Sequence, residues 1–169
     1  MQLHELKEQF NDQGYCLLKG LLNREKAQAA ADELRKQQVG EAKWGDGEPG
    51  VEHAVLQNIH EQYGLISELA SDEAMLKLAG ELLDEKIYIW SSKVNYKAAW
   101  CGTVEYYHQD FIYWKDRGYA LDRMMTCMIF LDHHSIQNGG LHVFPGSHKC
   151  VAIDHEMFVN INGLSKYMV

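Results

Sequence analysis

Residues 103–114 read Thr-Val-Glu-Tyr-Tyr-His-Gln-Asp-Phe-Ile-Tyr-Trp. The opening run, residues 103–107, is rich in β-branched and aromatic residues and predicts a strand. His108 and Asp110 then stand at i and i+2, a spacing that on extended backbone sends both side chains to one face. An imidazole and a carboxylate so placed can supply two donors of a 2-His-1-carboxylate facial triad, which leaves positions on Fe(II) for a co-substrate and dioxygen. Residue types alone also admit a plainer reading, a buried His hydrogen-bonded to a neighbouring carboxylate. Phe111, Tyr113 and Trp114 follow directly, and aromatic walls beside a polar pair suit a concave small-molecule site. Of these, Tyr113 and Trp114 are the candidates for a substrate pocket, with core packing the alternative for the other aromatics.

Downstream and just upstream of this stretch the pattern is β. Residues 87–90, 92–96, 103–108, 124–131 and 141–144 all read as strands, and Asn138-Gly139-Gly140 reads as a hairpin turn. Before residue 86 the pattern is helical. Leu3, Leu6 and Phe10 predict a helix over residues 2–12 that stops at Gly14. A short strand at residues 15–18 follows, and Asn23 caps a helix carrying Ala27, Ala30, Ala31 and Leu34. Residues 51–59 are strand-like, residues 66–70 form a short helix, and Ser71/Asp72 cap a helix through Leu83. Residues 40–50, with four Gly and a Pro, form a loop whose Trp44 is a lid aromatic or a surface anchor.

Helices followed by consecutive antiparallel strands predict an α+β, mainly β fold: a jelly roll or related barrel with the N-terminal helices packed outside. At 169 residues the chain suits one domain, a helical part at 1–85 and the first part of a barrel at 86–155. Lys and Arg number 16 against 24 Asp and Glu, a net charge of -8, which repels phosphate backbones and anionic membranes. No apolar run approaches the roughly 18 to 20 residues that span a bilayer, and the N-terminus lacks the basic start and apolar core of a signal peptide. Four widely spaced Cys with no C-x-x-C pair fit reduced thiols in a cytoplasmic protein.

Three segments, in order, closely resemble the phytanoyl-CoA dioxygenase family: Tyr107-His108-Gln109-Asp110-Phe111-Ile112-Tyr113-Trp114, Gln137-Asn138-Gly139-Gly140-Leu141 and Phe144-Pro145-Gly146-Ser147-His148-Lys149. The opening FNDQGYCLLKGLL, residues 10–22, is similar as well, so the resemblance runs from near residue 6 to about 155. The resemblance implies a double-stranded β-helix, jelly-roll and cupin-like, and an Fe(II)- and 2-oxoglutarate-dependent oxygenase. Such an enzyme hydroxylates a small organic molecule with dioxygen while 2-oxoglutarate is decarboxylated to succinate. His108 and Asp110 would then be the metal ligands, and Asp110 argues for hydroxylation, because related halogenases carry a small residue there. Lys93 and Met128 fall where the family contacts 2-oxoglutarate, and Lys97 matches a lysine of varying role ahead of the His-x-Asp. His155 matches a His shortly after the P-G-S-H-K run, at the substrate mouth or on plain surface.

The family's third ligand is a distal His, followed by an Arg that clamps the far carboxylate of 2-oxoglutarate. Here no Arg follows Arg123. The expectation is a chain truncated at its C-terminal side; if 169 residues are the full length, the last barrel strands are missing and the open barrel edge pairs with another chain, as in a homo-oligomer, or aggregates. The alternative is a non-catalytic metal-binding or scaffold member of the family. His133, His134, His142, His148, His155 and Cys150 could also be imagined as a zinc site, although adjacent His on a strand point to opposite faces; a zinc or manganese cupin-type enzyme is a third reading.

Overall fold

A computed structural model of the chain describes residues 2–37, 53–62, 64–97, 106–120, 123–159 and 165–168. It divides into two compact units: Met1–Leu18 with Val104–Met128 and Leu141–Val169, and Lys19–Thr103 with Ile129–Gly140.

The second unit is built on helices. Helix α2 (Arg24–Gln37) starts where expected, with the Asn23 side-chain oxygen accepting from the Lys26 N–H at 3.0 Å. Ala30 and Leu34, one turn apart, meet Ile66 and Leu69 of α4 (Gly64–Ala70) and Ile59 of α3 (Ile59–Gln62) in a buried cluster. These i, i+3 and i, i+4 spacings set one apolar stripe against another. Leu22, Ala27, Val94, Ile129 and Leu131 pack around them. Each fully buried Leu or Ile contributes roughly 1.5–3 kcal/mol, so this cluster is a main source of stability among the described residues of the unit. Helix α5 (Glu73–Leu83) is capped by Asp72, whose carboxylate accepts from Ala74 and Met75 N–H at 3.0 and 3.3 Å.

Strand β1 (His53–Gln57) pairs antiparallel with β2 (Lys93–Lys97), His53 opposite Lys97 and Gln57 opposite Lys93. Asn58, at φ 51°, turns the chain from β1 into α3, a left-handed position that Asn tolerates. Its N–H donates to the Ser92 carbonyl at 2.7 Å, and the Ser92 hydroxyl accepts from the His60 N–H at 3.0 Å. The start of β2 is thereby tied to the end of β1.

In the first unit, α1 (Leu3–Gln13) ends at Gly14, φ 79°, as the sequence predicts. The P-G-S-H-K run then closes on the end of this helix. Gly146 N–H donates to the Gln13 carbonyl at 2.8 Å, His148 Nε2 donates to the Asn11 carbonyl at 3.0 Å, and the Lys149 ammonium pairs with Asp12 at 2.8 Å. The Lys149 hydrogen bond and charge hold the Asp12 carboxyl below its ordinary value. A second ladder joins β3 (Glu156–Val159) to β4 (Ser165–Met168), antiparallel, with Glu156 opposite Met168.

Several expected strands are corrected. Residues 15–18, 87–90, 106–108, 124–131 and 141–144 belong to no ladder. Among the described residues, the sheets are the two-stranded β1–β2 and β3–β4. Side-chain type favours a strand in each of these segments, whereas a ladder also needs a neighbour's N–H and C=O groups at the right spacing. Leu17, Leu141 and Phe144 are more than half exposed on these segments. The Gly-Gly hairpin is also corrected to a 3-10 turn, Ile136–Asn138, in which Asn138 accepts from the Ser135 N–H at 2.7 Å. The glycines are required all the same: Gly139 sits at φ 79°, and a Cβ on Gly140 would meet the Ser135 carbonyl at 2.8 Å. Residues 40–50 with Trp44, and residues 103–105, lie outside the described residues.

Candidate metal centre

Gln109 is extended, at φ -95° and ψ 126°, and the chain then enters a 3-10 turn, Asp110–Tyr113, anchored by the buried Ile112. The extended residue puts His108 and Asp110 on one side, as their spacing predicts, although by a turn entry and not by a laddered strand. His108 Nε2 lies 3.2 Å from Asp110 Oδ1.

Each partner is oriented by its other atom. His108 Nδ1 is 2.7 Å from the Tyr106 carbonyl, which can only accept, so Nδ1 carries a proton and donates to it. Asp110 Oδ2 accepts from the Thr126 hydroxyl at 2.9 Å. Nε2 and Oδ1 are thus turned toward each other, and a metal cation could take both as donors. A carbonyl behind the ligating His and a hydroxyl behind the carboxylate are the usual supports of metal ligands. Neutral imidazole and carboxylate form a donor set that fits Fe(II). Spacing along the chain does not reveal Thr126 as a site residue. Its signal is that it forms the polar break in the apolar run 124–131.

The pair is reachable from solvent: the His108 side chain is 26% exposed and that of Asp110 54%. Tyr113 packs edge-on against His108, ring centres 5.6 Å apart, while Trp114 carries the Arg117 guanidinium over its ring at 5.4 Å. Tyr107 and Phe144 make a further aromatic contact at 4.6 Å.

His155 reaches the same stretch from beyond the P-G-S-H-K run. Its Nε2 accepts from the Gln109 N–H at 2.8 Å, its Nδ1 lies 2.7 Å from the Ile153 carbonyl, and the Ile153 N–H donates to Gln109 Oε1 at 2.9 Å. Met128, half exposed, lies two residues beyond Thr126. Lys93, whose side chain is exposed, and Lys97 are the two ends of β2, in the other unit.

No group of three or more His, Cys, Asp and Glu is gathered for a metal among the described residues. The imagined zinc site is thereby corrected: His148 is bound to α1, His155 to Gln109, and His134 Nδ1 to the Asp132 carbonyl at 3.1 Å. Burial pushes the Cys16 and Cys127 thiols up, away from the thiolate a nucleophile needs. None of the helices among the described residues is long and apolar enough to cross a membrane.

The family Phytanoyl-CoA dioxygenase (PhyH) matches residues 10–161, and the chain belongs to that family. It is 31% identical over 152 residues to an ectoine dioxygenase of Stutzerimonas stutzeri, covering 86% of this chain and 50% of that protein. A probable alpha-ketoglutarate-dependent hypophosphite dioxygenase, also of Stutzerimonas stutzeri, is 25% identical over 89% of this chain and 55% of its own length. An L-proline trans-4-hydroxylase of Streptomyces griseoviridis is 34% identical over 54% of this chain and 35% of its own. The chain thus spans about half the length of the first two relatives. No solved structure matches.

Proposed function

We propose that this chain carries the His-x-Asp part of an Fe(II)- and 2-oxoglutarate-dependent dioxygenase that hydroxylates a small organic molecule. The single observation behind this reading is the opposed pair, His108 Nε2 and Asp110 Oδ1 at 3.2 Å, each turned into place by a hydrogen bond on its far side. The relatives are named for ectoine, hypophosphite and L-proline, which supports a small-molecule substrate for this chain too.

His108 and Asp110 would hold the metal. When bound, Fe(II) supplies the oxygen activation that couples hydroxylation of the substrate to conversion of 2-oxoglutarate into succinate and carbon dioxide. The protein's share is positional. Tyr106 fixes the His108 tautomer, Thr126 fixes the carboxylate rotamer, and Tyr113 and Trp114 wall the substrate side with low-entropy apolar surface. Lys93, Met128 and Lys97 stand in this proposal as co-substrate contacts, by family likeness. The barrel of the family is the fold into which these parts fit.

The test is anaerobic titration of Fe(II) and 2-oxoglutarate. A weak visible charge-transfer band is expected, absent in Asp110→Ala, together with succinate formation in air. Metal retention without succinate would favour the non-catalytic reading, and no metal binding at all would overturn both.

A further inference from the structure

We propose that His155 is a positioning residue for the metal pair, acting through Gln109. This rests on the reading of His108 and Asp110 as ligands. Gln109 is the residue between them, so its backbone angles decide whether the two side chains converge. Three hydrogen bonds close a ring around it: Gln109 N–H to His155 Nε2, His155 Nδ1–H to the Ile153 carbonyl, and Ile153 N–H to Gln109 Oε1. The tautomer follows from the partners. A peptide N–H can only donate and a carbonyl can only accept, so His155 is neutral with its proton on Nδ1.

The ring of bonds fixes the backbone between the two side chains. His108 Nε2 and Asp110 Oδ1 stand 3.2 Å apart across residue 109, and free rotation about that residue would part them. Gln109 is gripped by both its backbone N–H and its side chain, from a segment 44 to 46 positions away. The convergent geometry is thus held in advance, and less ordering is left for the moment of binding. Both ring nitrogens of His155 are engaged by backbone.

Co(II) alone, titrated into the full chain and followed by its visible d–d absorption, is the probe. The parent is expected to bind and Asp110→Ala to lose binding. His155→Leu should weaken binding on the order of 10-fold, as loss of an outer support does, and should alter the band shape with the melting curve retained. His155→Gln, whose Oε1 can take the place of Nε2 as acceptor, should restore both affinity and spectrum. Gln109→Leu, which removes the side-chain half of the grip, should mimic His155→Leu and decides the matter if His155→Leu does not fold. Parent-like Co(II) binding and spectra in both leucine variants, with binding lost in Asp110→Ala, would overturn the positioning role and leave the ligands standing. Undiminished binding in Asp110→Ala would overturn the ligand reading and this proposal with it.

Discussion

The imidazole of His148 lies against the α-carbon of Gly14, so close that a side chain on Gly14 would overlap the ring. This contact explains two residues at once: Gly14 as a left-handed helix end beneath a ring, and His148 as the side chain of its turn that reaches back to the Asn11 carbonyl.

Gly14→Ala is accordingly expected to cost more than a positive φ alone. Strain at a left-handed residue is worth roughly 1–3 kcal/mol, and here the clash adds to it. Gly118→Ala is the control, since Gly118 shares the angle, φ 80°, but a Cβ there would have nothing within 4 Å. Chemical denaturation of the two variants should separate them, with part of the Gly14→Ala loss recovered on adding His148→Ala.

Asp12 gives a pH-dependent prediction. Its carboxyl is held below the ordinary 3.8 by Lys149, so the unfolded chain binds the proton more readily. The stabilisation is then complete above the unfolded value and is lost as pH falls through the folded one. The melting temperature of the parent should exceed that of Asp12→Asn at neutral pH, and the gap should close below about pH 4. A gap that stays constant with pH would mean the ion pair contributes nothing.

Thr126→Val removes the donor to Asp110 while keeping the shape. Metal affinity is expected to fall on the order of 10-fold, with Thr126→Ser close to the parent. Calorimetric titration of Fe(II) under argon measures both.

Asp72→Ala strips the cap of α5, leaving the Ala74 and Met75 N–H groups without their acceptor. A loss of about 1 kcal/mol is expected, seen as a lowered denaturant midpoint with unchanged metal binding.

Helix ends are legible in the sequence because a cap is a local event: Asn23, Asp72 and Gly14 each act within a few residues of themselves. The His-x-Asp pair is legible for the same reason, its convergence needing one extended residue. Strand pairing is not. Residues 124–131 have the side chains of a strand, but a ladder depends on backbone from elsewhere in the chain, about which β-branched content says nothing. The roles of Thr126 and His155 are hidden because their partners are 16 and 46 positions away, distances at which spacing carries no signal.

The first unit is assembled from three separated stretches, and the bond between His148 and Asn11 spans 137 positions. The helical cluster of Ala30, Leu34, Ile59, Ile66 and Leu69 is complete by residue 69. During synthesis that cluster can close early, whereas α1 must wait for its turn and Gln109 for Ile153 and His155. Contacts of such high sequence separation form last. His108 and Asp110 therefore leave the ribosome about 45 residues before the segment that holds Gln109, and a nascent chain interrupted before residue 155 would carry both side chains without that hold on the residue between them.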